Sequence, residues 1–270
     1  MERLEQRLLG RLARASIDFQ LLEPHDRVMV GMSGGKDSYV LLHLLRTLQQ
    51  RTPFPFELIA VHLDQGQPGF PVHTLEAWLA AQDVPHHIIR EHTYEVVVDK
   101  TPAGKAFCTM CSRLRRGILY STAVRLGCTK IALGHHRDDS IETLMLNLLY
   151  GGQVKAMPPR LRSDDGRNTV IRPLIYCAEA DIAQLATELN FPILPCTLCS
   201  TQPDLKRAKV KALLDELHAE NPHVRSNLFA ALSNVRPSHL LDPKLRELYG
   251  VEQLSGADES LAALEGGCGA

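Results

Sequence analysis

The 270-residue chain has almost no net charge, since 30 Lys and Arg face 31 Asp and Glu, leaving −1. Gripping a polyanion by overall charge is thereby excluded, and any nucleic-acid contact has to use local basic patches. No apolar run approaches the ~18 residues of a membrane span, so no membrane association is expected. Met1-Glu2-Arg3-Leu4-Glu5 is too charged to begin a signal peptide. Internal repeats are absent, as are two familiar phosphate-binding fingerprints. A Walker A loop needs four residues between its first Gly and Gly-Lys-[Ser/Thr], and a dinucleotide-binding turn needs Gly-x-Gly-x-x-Gly. Disulfide pairing is also disfavoured. The seven cysteines are an odd number, and two pairs are spaced Cys-x-x-Cys. That usage points to a reducing, cytoplasmic setting and metal-ligating thiols.

What stands where a phosphate loop belongs is Ser33-Gly34-Gly35-Lys36-Asp37-Ser38. Val28 to Val30 before it is a short, β-branched apolar run and reads as a strand. From Ser38 the spacing is helical. Gly34 and Gly35 permit a sharp turn and close approach of the backbone to a ligand. The free N–H groups of the following helix then face the loop, which makes an anion site. Ser33, Lys36 and Ser38 add hydroxyl and ammonium donors. These six residues resemble the PP-loop of the ATP pyrophosphatase family, whose members cleave ATP between the α and β phosphates and leave AMP on a carbonyl oxygen.

The rest of the chain alternates strand and helix. Residues 1–22 read as a helix with an apolar stripe of Leu4, Leu8, Leu12 and Ile17 and a face of Arg7, Arg11 and Arg14. Further strands are expected at Leu58–Leu63, His86–Ile89, Lys130–Leu133 and Val170–Leu174. Helices are expected at 73–82, 112–126, 141–150, 178–189, 204–218 and 221–233. Thr101 to Lys105 and Gly151 to Arg167 read as loops, and the tail after Ser255 as mobile. Polar clusters follow strands: Asp64-Gln65-Gly66 and Gly134-His135-His136-Arg137-Asp138-Asp139. This predicts an α/β fold, a doubly wound parallel sheet whose ligand edge carries residues 33–38, 64 and 134–139. The expected division is an N-terminal helix (1–22), a PP-loop domain (23–176), a helical, Cys-rich C-terminal segment (177–250) and a tail (251–270). His62 ends a strand beside this edge. It reads first as a satisfied strand residue, and it is also a candidate for nucleotide binding, as is Gly134.

Two signals carry chemistry beyond the loop. A pyrophosphate leaving group needs a divalent cation, and Mg²⁺ takes one or two carboxylates plus phosphate oxygens. Asp138 and Asp139 are candidates for that role opposite the loop, and Asp37 within it; N-capping of a helix by Asp139 explains only one of them. The second signal is Cys108-x-x-Cys111 with Cys196-x-x-Cys199. The 84 residues between Cys111 and Cys196 exceed the spacing of a zinc ribbon, so one metal site would be assembled by tertiary folding. Structural Zn and an Fe–S cluster both remain open from the residues. Cys128 and Cys177 read as small core residues, and Cys268 lies on the tail.

Taken together, Ser33 to Ser38, Cys108-x-x-Cys111 running into Ser112-Arg113-Leu114-Arg115-Arg116-Gly117, Gly134 to Asp139, Met157-Pro158-Pro159, and Pro195-Cys196-x-x-Cys199 resemble the tRNA 2-thiocytidine synthetase family. The resemblance covers about residues 10–240. It implies an ATP- and Mg²⁺-dependent sulfurtransferase acting on cytidine 32 of the tRNA anticodon loop. It also implies a [4Fe–4S] cluster on three Cys, a cysteine desulfurase as sulfur donor, and a homodimer. Lys36, Asp37, Asp138 and Asp139 become the expected catalytic residues. Cys108 and Cys111 are two expected ligands. Cys199 is the expected third rather than Cys196: Pro195 limits how the Cys196 turn is aimed, and related thiolases with a single Cys here place it at a matching distance before a Pro and a basic helix. The runs Arg113-Arg115-Arg116 and Lys206-Arg207-Lys209-Lys211 are expected phosphate contacts, or else solvated helix faces. Competing expectations are a PP-loop thiolase or lysidine-forming ligase for another nucleotide, and a zinc-stabilised, non-catalytic RNA-binding protein.

Overall fold

A computed structural model describes residues 2–100, 108–194 and 205–249. Six strands form one sheet: β1 (Arg27–Met32), β2 (Glu57–Asp64), β3 (His86–Arg90), β4 (Lys130–Ala132), β5 (Arg160–Arg162) and β6 (Thr169–Ile171). Their order is β3-β2-β1-β4-β6-β5. The first five positions run parallel, and β5 pairs antiparallel to β6. The doubly wound parallel arrangement expected from the apolar runs is therefore present, with one antiparallel edge. β5 lies inside the stretch expected to be loop. All three of its residues are exposed, so no apolar run marks it, and its pairing is set by β6.

The middles of the inner strands are apolar because both faces are covered there. On one face Met29, Ile59, Val61, Ile131 and Val170 pack with Ala123 and Cys128, the former from helix α5 (Cys108–Arg125). The opposite face is covered by a layer in which α1 (Glu2–Asp18), α2 (Lys36–Gln49) and α7 (Glu179–Glu188) pack on one another. Shorter helices α3 (Val72–Ala81) and α4 (Thr93–Lys100) flank β3, α6 (Arg137–Gly151) follows β4, and α8 (Leu205–Glu220) packs on α6.

The N-terminal helix stops at Asp18, short of residue 22. Leu4, Leu8 and Leu12 are buried as expected, whereas Ile17 is 73% exposed. Five residues past Leu12, it is rotated about 140° from the stripe. The arginine face is not open either, because Arg7 and Arg11 both pair with Asp181 of α7 at 2.7 Å. Helix α4 had no counterpart in the expected elements, and α5 begins at Cys108, so the first Cys pair occupies its first turn.

The chain divides into two compact units, Met1–Arg225 and Ser226–Ala270. The sheet belongs to the first. The second holds the end of α9 (Val224–Ala231), a short 3₁₀ turn (Pro237–His239) and α10 (Pro243–Leu248), whose first N–H groups are capped by Asp242. Among the described residues no helix is long and apolar enough to cross a membrane. Cys196, Cys199, Cys268, the loop at Thr101 to Lys105 and the tail lie outside the described residues.

Candidate active site

The strand order reverses between β1 and β4, and in such sheets ligands bind beyond the strand ends at that point. β1 delivers the glycine loop there, and β4 delivers Leu133, Gly134 and the start of α6. The loop is self-braced. Ser33 Oγ accepts the Gly35 N–H at 3.2 Å, and Ser38 Oγ donates to the Gly35 carbonyl at 2.8 Å. Gly34 has φ +81°, and a Cβ there would lie 3.0 Å from Leu194. The Gly34 carbonyl accepts the Leu194 N–H at 2.9 Å. The chain is thus tied to the loop two residues before Cys196.

Gly134 is needed for a different reason. A Cβ on it would sit 3.0 Å from the Asp37 carbonyl carbon, so the β4 end and the loop approach too closely for any side chain. Between them lies a cavity of about 290 Å³ whose walls include Gly31, Ser33, Asp37, Gly134, His135 and Asp139. Arg115 of α5 and Arg207 of α8 also line it. Ser38 lines it as well; Lys36 and Gly34 do not.

His136 organises the acids. It is the N-cap of α6, its backbone N–H donates to Asp139 at 3.0 Å, and its ring accepts from the Asp139 N–H. The capping residue is therefore His136, and Asp139 completes a capping box. His136 Nε2 also lies 3.4 Å from Asp139 Oδ2 and 3.8 Å from Asp37 Oδ1. Asp37 Oδ1 is buried and accepts no hydrogen bond among the described residues, although Lys36 Nζ lies 3.3 Å from it. Burial raises the Asp37 pKa, opposed by Lys36 and His136. A buried carboxylate oxygen without a hydrogen bond, on the same cavity as a second carboxylate, suits Mg²⁺, which needs few protein ligands when phosphates supply the rest. Among the described residues no group of three or more His, Cys, Asp and Glu could hold a metal ion by itself.

Asp138 is not brought to this cavity. It is buried, and its carboxylate accepts the Glu179 N–H at 2.8 Å and Arg225 Nη1 at 3.1 Å. Lys36 is likewise turned aside, with Nζ 3.1 Å from Glu179 Oε1 and 3.3 Å from Asp37. Burial lowers the Lys36 pKa, but the two carboxylates outweigh it and the net shift is upward. Glu179 also meets Lys211 at 3.3 Å. Sequence reasoning missed Glu179 and Arg225. An acid in the first turn of a helix and a lone surface-type Arg carry no signal of such partners.

A second cavity, of about 170 Å³, adjoins the first. The two share Met32, Ser33, Leu63 and Arg115 as walls. Here lie Gly35 and His62, with Asp64, Gln65 and Phe70. His62 is fully buried and stacks on Phe70 at 5.6 Å. Beyond this cavity, Gln65 Oε1 accepts from the Cys111 thiol at 3.2 Å and from Thr93 Oγ1 at 3.4 Å. Cys108 and Cys111 both fall in the first turn of α5. Helix N-termini favour thiolates, so this pair suits a thiolate-bound metal. Of the basic runs, Lys206 lies over the Tyr150 ring at 5.0 Å and Lys211 pairs with Glu179, while Arg113, Arg116 and Lys209 are exposed.

Residues 4–192 match the model of the PP-loop domain family. A tRNA-cytidine(32) 2-sulfurtransferase of Anaeromyxobacter sp. (strain Fw109-5) is 54% identical, covering 99% of this chain and 88% of that protein. One from Sodalis glossinidius (strain morsitans) is 53% identical, covering 94% and 72%. Among solved structures, the U34-tRNA thiolase NcsA from Methanococcus maripaludis with its [4Fe-4S] cluster superimposes with a TM-score of 0.70 at 23% identity, over 87% of this chain and 80% of that one, a likeness of fold. Identity above one half along nearly the whole length places the chain in the tRNA-cytidine(32) 2-sulfurtransferase family, transferases built on the PP-loop domain.

Proposed function

We propose that this enzyme replaces the C2 oxygen of cytidine 32 in the tRNA anticodon loop with sulfur, in two steps that consume ATP. An amide-like oxygen is a very poor leaving group. In the first step the C2 oxygen attacks the α-phosphorus of ATP, the bond to the β-phosphate breaks, and pyrophosphate leaves. In the second, hydrosulfide sulfur adds at C2, the C–O bond breaks, and AMP departs with its electron pair. Neither step changes an oxidation state. The sulfur comes from a cysteine desulfurase, whose persulfide a thiol reductant brings to the hydrosulfide level.

The residues divide this work. The backbone N–H groups and hydroxyls of Ser33 to Ser38 hold the β and γ phosphates. Lys36 exchanges Glu179 for phosphate oxygens and offsets charge on the departing pyrophosphate. Asp37 and Asp139 hold Mg²⁺. Asp138 acts at one remove, fixing the N-terminus of α7 from which Glu179 reaches Lys36. Cys108, Cys111 and Cys199 would hold a [4Fe–4S] cluster, with residues 177–250 completing that site. When bound, such a cluster would supply a metal site for the incoming sulfur. Exposed Arg113, Arg116 and Lys209 contact tRNA phosphates. The protein works in the cytoplasm as a homodimer.

One observation supports this reading above the others. The loop cavity with its two carboxylates shares walls with a second cavity lined by Gln65, which accepts from the Cys111 thiol. This proximity supports ATP chemistry and thiolate chemistry working side by side. The test is a single-turnover assay of the anaerobically reconstituted enzyme with tRNA, ATP, Mg²⁺ and sulfide. AMP, pyrophosphate and 2-thiocytidine are expected in equal amounts. ADP with phosphate, or sulfur on another nucleotide, would refute it.

A further inference from the structure

We propose that the second cavity is the pocket for the target cytosine, and that His62 and Asp64 read its exocyclic amine. The inference rests on the thiolation reading and assigns its base-recognition residues. His62 and Asp64 are two apart on β2, so their side chains emerge on the same face. His62 Nδ1 lies 2.8 Å from the Met32 carbonyl oxygen. A carbonyl only accepts, so Nδ1 carries the proton and Nε2 presents a lone pair. His62 Nε2 is buried and has no partner among the described residues, although its residue borders the cavity. Burial lowers the pKa of the ring, which keeps it neutral. Asp64 Oδ1 is fixed by the Gly66 N–H at 3.0 Å, which leaves Oδ2 as a further acceptor.

His62 and Asp64 offer two acceptors on one strand face, which suit a group that only donates; the donors Arg115 and Gln67 line the same cavity from other elements. The N4 amine of cytosine has two N–H bonds, and carboxylate acceptors are its usual partners. The O4 of uracil at the same place would meet two lone-pair donors and be rejected. Phe70 supplies a ring face on which an unstacked base can lie. With N4 at His62 and Asp64, the base lies between the loop residues Ser33 and Gly35 on one side and Gln65 with Cys111 on the other.

The adenine of ATP also carries an exocyclic amine. It is assigned to the other cavity, which holds Asp37, Gly134 and Asp139 and has room for about 290 Å³. Only the smaller cavity reaches Gln65. The two bases are separable by experiment.

The experiment uses the full-length, anaerobically reconstituted enzyme and two tRNA transcripts that differ only in C32 or U32. Wild-type enzyme is assayed first; no thiolation of C32 would overturn the thiolation reading itself and this inference with it. Given activity, Asp64→Asn keeps the bond from Gly66 and turns the second atom into a donor that suits O4. The preference for C32 over U32 is expected to fall by about tenfold or more, with the KM for ATP unchanged. An unchanged preference would overturn the assignment. Phe70→Leu provides an independent check. It is expected to weaken tRNA binding, measured without ATP, and to leave ATP binding alone. Weaker ATP binding with unchanged tRNA binding would give the pocket to adenine.

Discussion

Asp138 and Asp139 are adjacent on the first turn of α6 and serve opposite sides of it. Asp139 faces the nucleotide cavity. Asp138 points into the protein, where it joins the α7 N-terminus to Arg225. Their substitutions should separate accordingly. Asp139→Asn retains an oxygen for the His136 N–H, so unfolding is expected to shift by less than about 1 kcal/mol while thiolation falls about 100-fold or more. Asp138→Ala leaves the Glu179 N–H without its acceptor and Arg225 with Asp215 alone, at 2.6 Å, and is expected to destabilise by about 1–3 kcal/mol. Urea unfolding and thiocytidine yield on both variants check this. Equal stability losses would show that the two carboxylates share one role.

Gly134→Ala tests the contact that brings the two sides of the site together. Its Cβ would press on the Asp37 backbone at 3.0–3.1 Å, and backbone cannot give way as a side-chain end can. A loss of about 1–3 kcal/mol is expected, with a larger loss of ATP affinity, because Asp37 and the loop must move. ATP affinity equal to wild type, measured by calorimetry, would contradict the close packing.

Acid should destabilise the protein through its buried histidines. Burial, with Arg172 beside it, lowers His135 from 6.5 to about 4, and burial lowers His62 too. Above pH 6.5 both the folded and unfolded states hold these rings neutral, and their contribution is complete. As the pH falls from 6.5 towards 4 the unfolded chain takes up protons that the folded state refuses, so stability falls. At 1.36 kcal/mol per unit, His135 alone accounts for up to about 3 kcal/mol. Urea midpoints at pH 7.5 and 5 should differ accordingly, and His135→Asn should narrow the gap. A midpoint independent of pH in both proteins would contradict it.

The sheet was legible because parallel strands buried on both faces read as apolar runs, and the site was legible where chemistry demands rare local patterns, as in Ser33 to Ser38. What escaped was set by tertiary contact. β5 has no apolar signature because it is an edge strand with exposed residues. Ile17 looked like part of a stripe until the helix phase carried it outward. Arg7 and Arg11 read only as a basic helix face, yet Asp181, some 170 residues away in sequence, pairs with both. In the same way, Asp138 reads as a cavity carboxylate until Arg225 and the Glu179 N–H occupy it. Local spacing shows which residues are able to do chemistry, and packing decides which of them face the cavity.

The central claim is that the departing oxygen leaves on AMP. It is tested by giving the enzyme a tRNA labelled with ¹⁸O at O2 of cytidine 32 and analysing the products by mass spectrometry. One ¹⁸O in the phosphate of AMP for each 2-thiocytidine formed is the expected result. Label released into water, with unlabelled AMP, would contradict it.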